Sequence, residues 1–293
     1  MTVTPFVSTE IATQPELWRQ VSTGFAQYGG ALPKSGQRVA AVGCGTSWFM
    51  AMAYAALRED LGHGLTDAFA GSEFPAGRGY DAVVVISRSG TTTEVLELIR
   101  GTALPTIAIT ATPGSPIVEL ADQTILLGFA DEQSVVQTRF ATTTLALLRA
   151  SLGEDLTQAA ADAEVALRID VDEVAKLEQV TYLGTRWTVG LAHEAGLKQR
   201  EAASAWTEAY PAMDYRHGPI AIAQPGRGVW IFGAAPEGLL DDVAATGATI
   251  VHHPELDPMA SLVVAQRVAV AKSLALGLNP DQPRSLTRSV VLD

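Results

Sequence analysis

Ala82-Val83-Val84-Val85-Ile86 is apolar at every position and runs straight into Ser87-Arg88-Ser89-Gly90-Thr91-Thr92-Thr93-Glu94. A short apolar run closed by a turn rich in hydroxyls and glycine reads as a strand buried on both faces, which needs helices above and below a parallel sheet. The rest of the chain keeps this rhythm. Strands are expected at 38–42, 65–70, 82–87, 106–110 and 124–127, with helices over 47–61, from Thr93 to Arg100, near Ser115 and over 138–152. After a polar, acidic stretch the alternation resumes, with strands at 181–183, 229–232 and 249–251 and helices over 191–210 and 261–276. Ahead of it all, Thr13 and Glu16 form a capping-box pattern before Leu17, Val21, Phe25 and Tyr28, which predicts an amphipathic helix closed by Gly29 and Gly30. Repeated βα units of this kind predict an α/β protein with doubly wound parallel sheets. The segments expected are 1–36 (helical), 37–152 (first α/β domain), 153–174 (connector) and 175–293 (second α/β domain with a C-terminal tail).

The first two strand-to-helix turns carry the chemistry. At the carboxyl end of a parallel strand the free N–H groups and dipole of the next helix favour an anion. In 87–92, Ser87, Ser89 and Thr92 add hydroxyl donors, Gly90 allows close backbone approach and Arg88 adds charge. The turn Gly43-Cys44-Gly45-Thr46-Ser47 has the same setting after the first strand. On neighbouring strands at a switch point, two such turns surround one phosphate from two sides. Hydroxyls that merely cap a helix are the competing reading, but one cap needs only one hydroxyl. Neither turn has the lysine of a nucleotide-binding P-loop, and G-x-G-x-x-G is absent after the first strand, so the expected ligand is a small phosphorylated molecule.

Charge narrows the partners. With 20 Lys and Arg against 32 Asp and Glu, the 293-residue chain carries a formal charge of −12, which repels nucleic acid and anionic membrane surfaces. Fixed local donors still bind an anion on such a protein, because salt screens the far field beyond about 8 Å. Cys44, the one cysteine, can form neither an internal disulfide nor a multi-thiolate metal site. It has no histidine near it in sequence, so packing rather than nucleophilic catalysis is expected of it. The adjacent His252 and His253 of a strand end point to opposite faces, so no metal is assigned to them, and no cofactor is expected. The N-terminal residues lack the pattern of a secretory signal and no segment is apolar enough to span a bilayer, which predicts a cytoplasmic protein.

Several separate motifs together resemble the sugar isomerase (SIS) domain family, in particular tandem-SIS phosphosugar isomerases and deaminases and the isomerase half of glucosamine-6-phosphate synthase. These are Glu10-Ile11, Gln14-Pro15, Gly43 to Ser47, Ser72-Glu73-Phe74, Ser87 to Thr92, Glu208-Ala209-Tyr210, His217-Gly218-Pro219 and Asp281-Gln282-Pro283-Arg284-Ser285-Leu286. The resemblance implies two flavodoxin-like SIS domains in tandem. It assigns sugar-phosphate binding to Ser87, Arg88, Ser89 and Thr92, with Gly45, Thr46 and Ser47 from the first turn. It makes Glu201, sixteen residues before the histidine of H-G-P, the proton-transfer base, and His217 the ring-opening group, presented to the partner subunit of a homodimer. A lysine of the family's tail is replaced by Arg288, which cannot form a Schiff base and is expected to stabilise oxyanion charge instead. Glu194, Glu208 and His193 are expected on the same helix as Glu201 in structural or surface roles.

The family's glutamine-hydrolysing domain has no counterpart in the sequence, which favours the degradative direction. The expected activity is an amino-sugar-6-phosphate deaminase/isomerase, converting a glucosamine-6-phosphate-like aldose to a ketose phosphate with release of ammonia. A plain aldose–ketose isomerase and a hydrolase-type deglycase acting on phosphorylated sugar–amine adducts are the close alternatives. A non-catalytic phosphosugar-binding regulator is the alternative of another class. Regulators usually pair one SIS unit with a DNA-binding helical domain, whereas this chain has two units and one short leading helix.

Overall fold

A computed structural model describes residues 4–75 and 77–292, so residues 1–3, 76 and 293 lie outside it. Two short helices open the chain, α1 (Phe6–Ala12) and α2 (Gln14–Thr23), where a single helix was expected. The Thr13 hydroxyl, between them, donates to the Glu10 carbonyl at 2.8 Å and so closes α1.

The described chain divides into two compact units. The first contains residues 16–133, 137–157 and 287–292, and the second contains 4–15, 134–136 and 158–286. These bounds cut the expected segments differently: the opening helical segment is shared between the units, and the last tail residues belong with the first.

In the first unit the elements are β1 (Val39–Gly43), α3 (Thr46–Asp60), β2 (Thr66–Ala70), β3 (Ala82–Ile86), α4 (Thr93–Gly101), β4 (Thr106–Thr110), α5 (Pro116–Leu120), β5 (Gln123–Leu126) and α6 (Arg139–Ser151). The five strands are all parallel, in the order β2-β1-β3-β4-β5. That is the doubly wound order, with its switch point between β1 and β3. β1, β3 and β4 are buried at every residue, which is why their sequences are continuous apolar runs, whereas the edge strands β2 and β5 are only partly covered. Arg58 on α3 is buried with its charge satisfied, donating to the carbonyls of Lys34, Gln37 and Gly64 and to Thr66 Oγ1. It thereby ties the approach to β1 to the start of β2.

The second unit continues with α7 (Thr157–Ala166), α8 (Asp172–Ala175), β6 (Gln179–Gly184), α9 (Thr188–Ala203), β7 (Trp206–Pro211), β8 (Arg227–Ile231), α10 (Leu239–Ala245), β9 (Thr249–His252) and α11 (Pro258–Ala275). Its parallel sheet runs β7-β6-β8-β9, the first unit's order with one strand fewer. Two expectations need correction. The stretch 153–174 is not a bare connector, since it carries α7 and α8. The helix expected over 191–210 ends at Ala203, where Ser204 adopts φ +50°, and 206–211 form an edge strand. Edge position explains the misreading, because β7 has exposed ends and one buried residue, the rest being half-covered, and shows no apolar run. Glu208 is therefore a strand residue.

No helix among the described residues is long and apolar enough to cross a membrane.

Each unit closes its first strand with a glycine that lets the next helix approach. A Cβ on Gly184 would lie 2.2 Å from the Thr188 carbonyl oxygen, and one on Gly43 would lie 2.5 Å from the Ser47 carbonyl carbon. Both clashes are with backbone. Gly184→Ala should therefore cost about 1–3 kcal/mol of stability by overpacking, visible as a lowered unfolding midpoint in urea.

Candidate functional site

The register of the first sheet sets the anion turns side by side. Val42 pairs with Val85, so β1 and β3 end together and the turns 43–47 and 87–92 leave the same edge at the switch point. Gly45, Thr46 and Ser47 lead into α3, with Thr46 and Ser47 buried at its first turn. Ser87, Ser89 and Thr92 lead into α4. Thr92 occupies the N-cap position yet makes no capping hydrogen bond, so its hydroxyl is not consumed by the helix. The Ser87 hydroxyl accepts from the Gly90 amide at 3.2 Å, and that of Ser89 accepts from the Thr91 hydroxyl at 3.0 Å, which leaves both serine O–H groups able to donate. Gly90 is at φ +65°, and a Cβ there would collide with Ser115.

The turn is held from below. The Arg88 carbonyl accepts from the Ala111 amide and from the Thr110 and Thr112 hydroxyls, each at 3.1 Å, and the Gly90 carbonyl accepts from the Ile117 amide at 3.1 Å.

Arg88 itself departs from expectation. Its guanidinium is buried against the Glu132 carboxylate, 3.6 Å between charged atoms, with side-chain exposures of 1% and 0%. Glu132 Oε1 accepts in turn from the Thr138 amide and hydroxyl and from the Arg139 amide, at 2.5, 2.8 and 2.9 Å, at the start of α6. The Arg88 charge, which the sequence reading offered to a phosphate, is paired here with a buried carboxylate and braces the turn. Glu132 gave no signal in the sequence, because its partner is distant in the chain.

Arg288, in the tail, belongs to the same unit. Its guanidinium donates to the Glu132 carbonyl and pairs with Asp131 Oδ1 at 2.5 Å. These contacts engage the donors that the sequence reading assigned to a developing oxyanion. Cys44 is half-buried beside Gly71 and Glu94, and burial, with the nearby Glu94 charge adding to it, raises its thiol pKa. A thiol held protonated is a poor nucleophile, in keeping with packing.

Glu201 and His217 lie in the second unit. Glu201 is on the last turn of α9 and its carboxylate, 19% exposed, faces a cavity of about 520 Å³ lined by Ser204, Leu276, Leu278, Asn279 and Gln282. Lys198 Nζ lies 2.5 Å from Glu201 Oε2 and 3.4 Å from Glu194 Oε1, with Lys198 and Glu194 both fully buried. A buried ammonium between two carboxylates fixes the Glu201 side chain by charge-assisted contact. Glu194 is thus an interior charge rather than a surface one. Sequence reasoning passed over Lys198, although its spacing from Leu191, Ala195 and Ala202 puts a cation on the buried stripe of α9. His217 ends a 3₁₀ turn (Asp214–His217) and is exposed. His193 is partly buried on α9, and burial, reinforced by the Arg200 charge, lowers its pKa.

Comparison with known proteins agrees with the turn-bearing unit. Residues 32–152 match the SIS domain. Across most of its length the chain is also similar to glutamine–fructose-6-phosphate aminotransferase (isomerizing) of Aeropyrum pernix, 28% identical over 98% of this chain and 57% of that protein. The chain spans little more than half the length of such curated relatives. Among solved structures, glucosamine-6-phosphate deaminase from Thermotoga maritima superposes with a TM-score of 0.81 at 23% identity, covering 98% of this chain and all of that one. Tagatose-6-phosphate ketose/aldose isomerase from Escherichia coli gives 0.78 at 17% identity, covering 97% and 99%. These superpositions establish a shared fold. The SIS match covers both hydroxyl-rich turns, β1 to β5 and α6.

The buried pair predicts a steep cost for losing one partner. Arg88→Leu leaves Glu132 uncompensated and should destabilise the first unit by about 3–5 kcal/mol, as read by chemical denaturation, whereas an exposed arginine replaced in the same way should change little.

Proposed function

We propose that the protein is a phosphosugar enzyme of tandem SIS architecture, an amino-sugar-6-phosphate deaminase/isomerase. The observation that carries this reading is the pair of hydroxyl-rich turns leaving β1 and β3 at the switch point, with the Thr92 hydroxyl uncommitted to capping. Such a cradle suits a phosphate ester: hydroxyls and main-chain amides neutralise it without a basic patch. Similarity to an aminotransferase that isomerises fructose 6-phosphate, and a fold shared with a glucosamine-6-phosphate deaminase, support the same substrate class.

In this reading Ser47, Ser87, Ser89 and Thr92 bind the phosphate, and Glu201 is the proton-transfer base that the family resemblance implies. His217, supplied by the partner subunit of a homodimer, moves the proton of the C1 hydroxyl to the ring oxygen as the sugar opens. Glu201 then removes the C2 proton from the open-chain amino aldehyde, and the electron pair left at C2 forms the enolamine as the C1 oxygen takes a proton from water. Return of the Glu201 proton to C1 gives the C2 iminium with a C1 hydroxyl, which gives its extra proton back to the solvent hydroxide as the imine. Water adds to the imine carbon, ammonia leaves, and the product is a ketose 6-phosphate. Lys198 keeps the Glu201 carboxylate in place through these steps.

The test is a panel of phosphorylated hexosamines, hexoses and sugar–amine adducts, following ammonia, amine and ketose together. Ketose and ammonia in equal amounts from glucosamine 6-phosphate is the expected result. Isomerisation of a hexose phosphate alone would favour the plain isomerase, amine release from adducts the deglycase, and binding without turnover a regulator. Glu201→Gln should lower kcat by about 10²–10⁴-fold with the phosphate still bound. Ser87→Ala with Ser89→Ala should instead weaken binding of inorganic phosphate and of substrate alike, each lost hydrogen bond to the charged group removing about 1.5–3 kcal/mol.

A further inference from the structure

The last residues of the chain lie along the anion turn of their own unit. Arg288 O accepts from Arg88 Nη2 at 3.3 Å, and the Thr91 and Ser289 hydroxyls share a hydrogen bond of 2.9 Å. The Thr93 amide, the first of α4, donates to the Val290 carbonyl at 3.2 Å, and the Leu292 amide donates to Thr93 Oγ1 at 2.9 Å. The tail therefore meets the turn through four hydrogen bonds, at Arg88, at Thr91 and twice at Thr93. Its apolar side chains add little to this seating, since Val290, Val291 and Leu292 are more than half exposed.

One side chain anchors the segment at its start. Arg288 reaches the Glu132 carbonyl with one guanidinium nitrogen and Asp131 Oδ1 with another. The same Glu132 holds Arg88, so the anchor and the turn share one rigid node. Both members of the Arg288–Asp131 pair are 38% exposed, so the contact is screened and openable, unlike the Arg88–Glu132 pair beneath it.

We propose that Asp131 is a positioning residue: by holding the Arg288 guanidinium, it keeps the tail from Arg288 to Leu292 seated on the anion turn, and the seated tail pre-organises that turn for a phosphate. Arg288 then acts as the latch of a strap and not as a reacting group. The seating itself rests on the geometry of the first unit alone. The consequence for a sugar phosphate rests on the reading in the preceding subsection.

Asp131→Asn removes the charge at constant shape, and Asp131→Glu restores it. Amide exchange at Thr93 and Leu292, followed by NMR in the full chain, reports the seating directly, and titration with inorganic phosphate and with glucosamine 6-phosphate reports its effect on binding. The asparagine variant should exchange faster at both amides, and bind phosphate more weakly, by about two- to fivefold each, with the unfolding midpoint unchanged. The glutamate variant should recover both. Unchanged exchange at Thr93 and Leu292 would overturn the proposal, as would a loosened tail with equal or tighter phosphate binding, which would mean that the strap competes with the anion. If inorganic phosphate binds with the expected dependence on Asp131 while glucosamine 6-phosphate binds no better than phosphate, the latch stands and the substrate assignment falls.

Discussion

All strands of the first sheet point the same way, and reversal of strand order between β1 and β3 leaves a gap between helices on opposite faces. Everything in that unit able to handle an anion depends on this arrangement. The turns 43–47 and 87–92 come from strands separated in sequence by β2, yet strand pairing brings their ends to one edge. The hydroxyls of two helix starts then gather at that edge. A sheet with the same strands in simple sequential order would have put β2 between the two turns.

The turn after β3 must also be rigid to bind without a large ordering cost, and it is braced by charge as well as by main chain. Arg88 and Glu132 form an interior pair, and Glu132 also receives three donors at the start of α6. Such a pair is poor evidence for stability, because desolvation offsets much of its attraction, but it is demanding in geometry. One consequence is that the charge of the turn works as a fixture in this fold. In the proposed reading it is the neutral hydroxyls that meet the anion, so that binding by an acidic protein rests on directed donors instead of net field.

Much of the architecture was legible because parallel sheets bury their central strands on both faces. β1, β3, β4 and β6 read as apolar runs and were placed within a residue or two at most ends. The edge strand β7 was not legible, since its residues are half exposed and their spacing suits a continuing helix until Ser204 breaks it. The candidate site divides the same way. Ser47, Ser87, Ser89 and Thr92 announce themselves by clustering at strand ends, whereas Lys198 looks like an ordinary helix lysine until its burial between Glu194 and Glu201 is seen.

The sequence by itself determined the α/β rhythm and the hydroxyl-rich turns, because these follow from local patterns of residue type. Tertiary structure decided which charges are paired and with what. Arg88 and Arg288 meet Glu132 and Asp131, partners far away in the chain. A charge is assigned by what stands within a few ångströms of it, and that distance is set by folding rather than by order along the polypeptide.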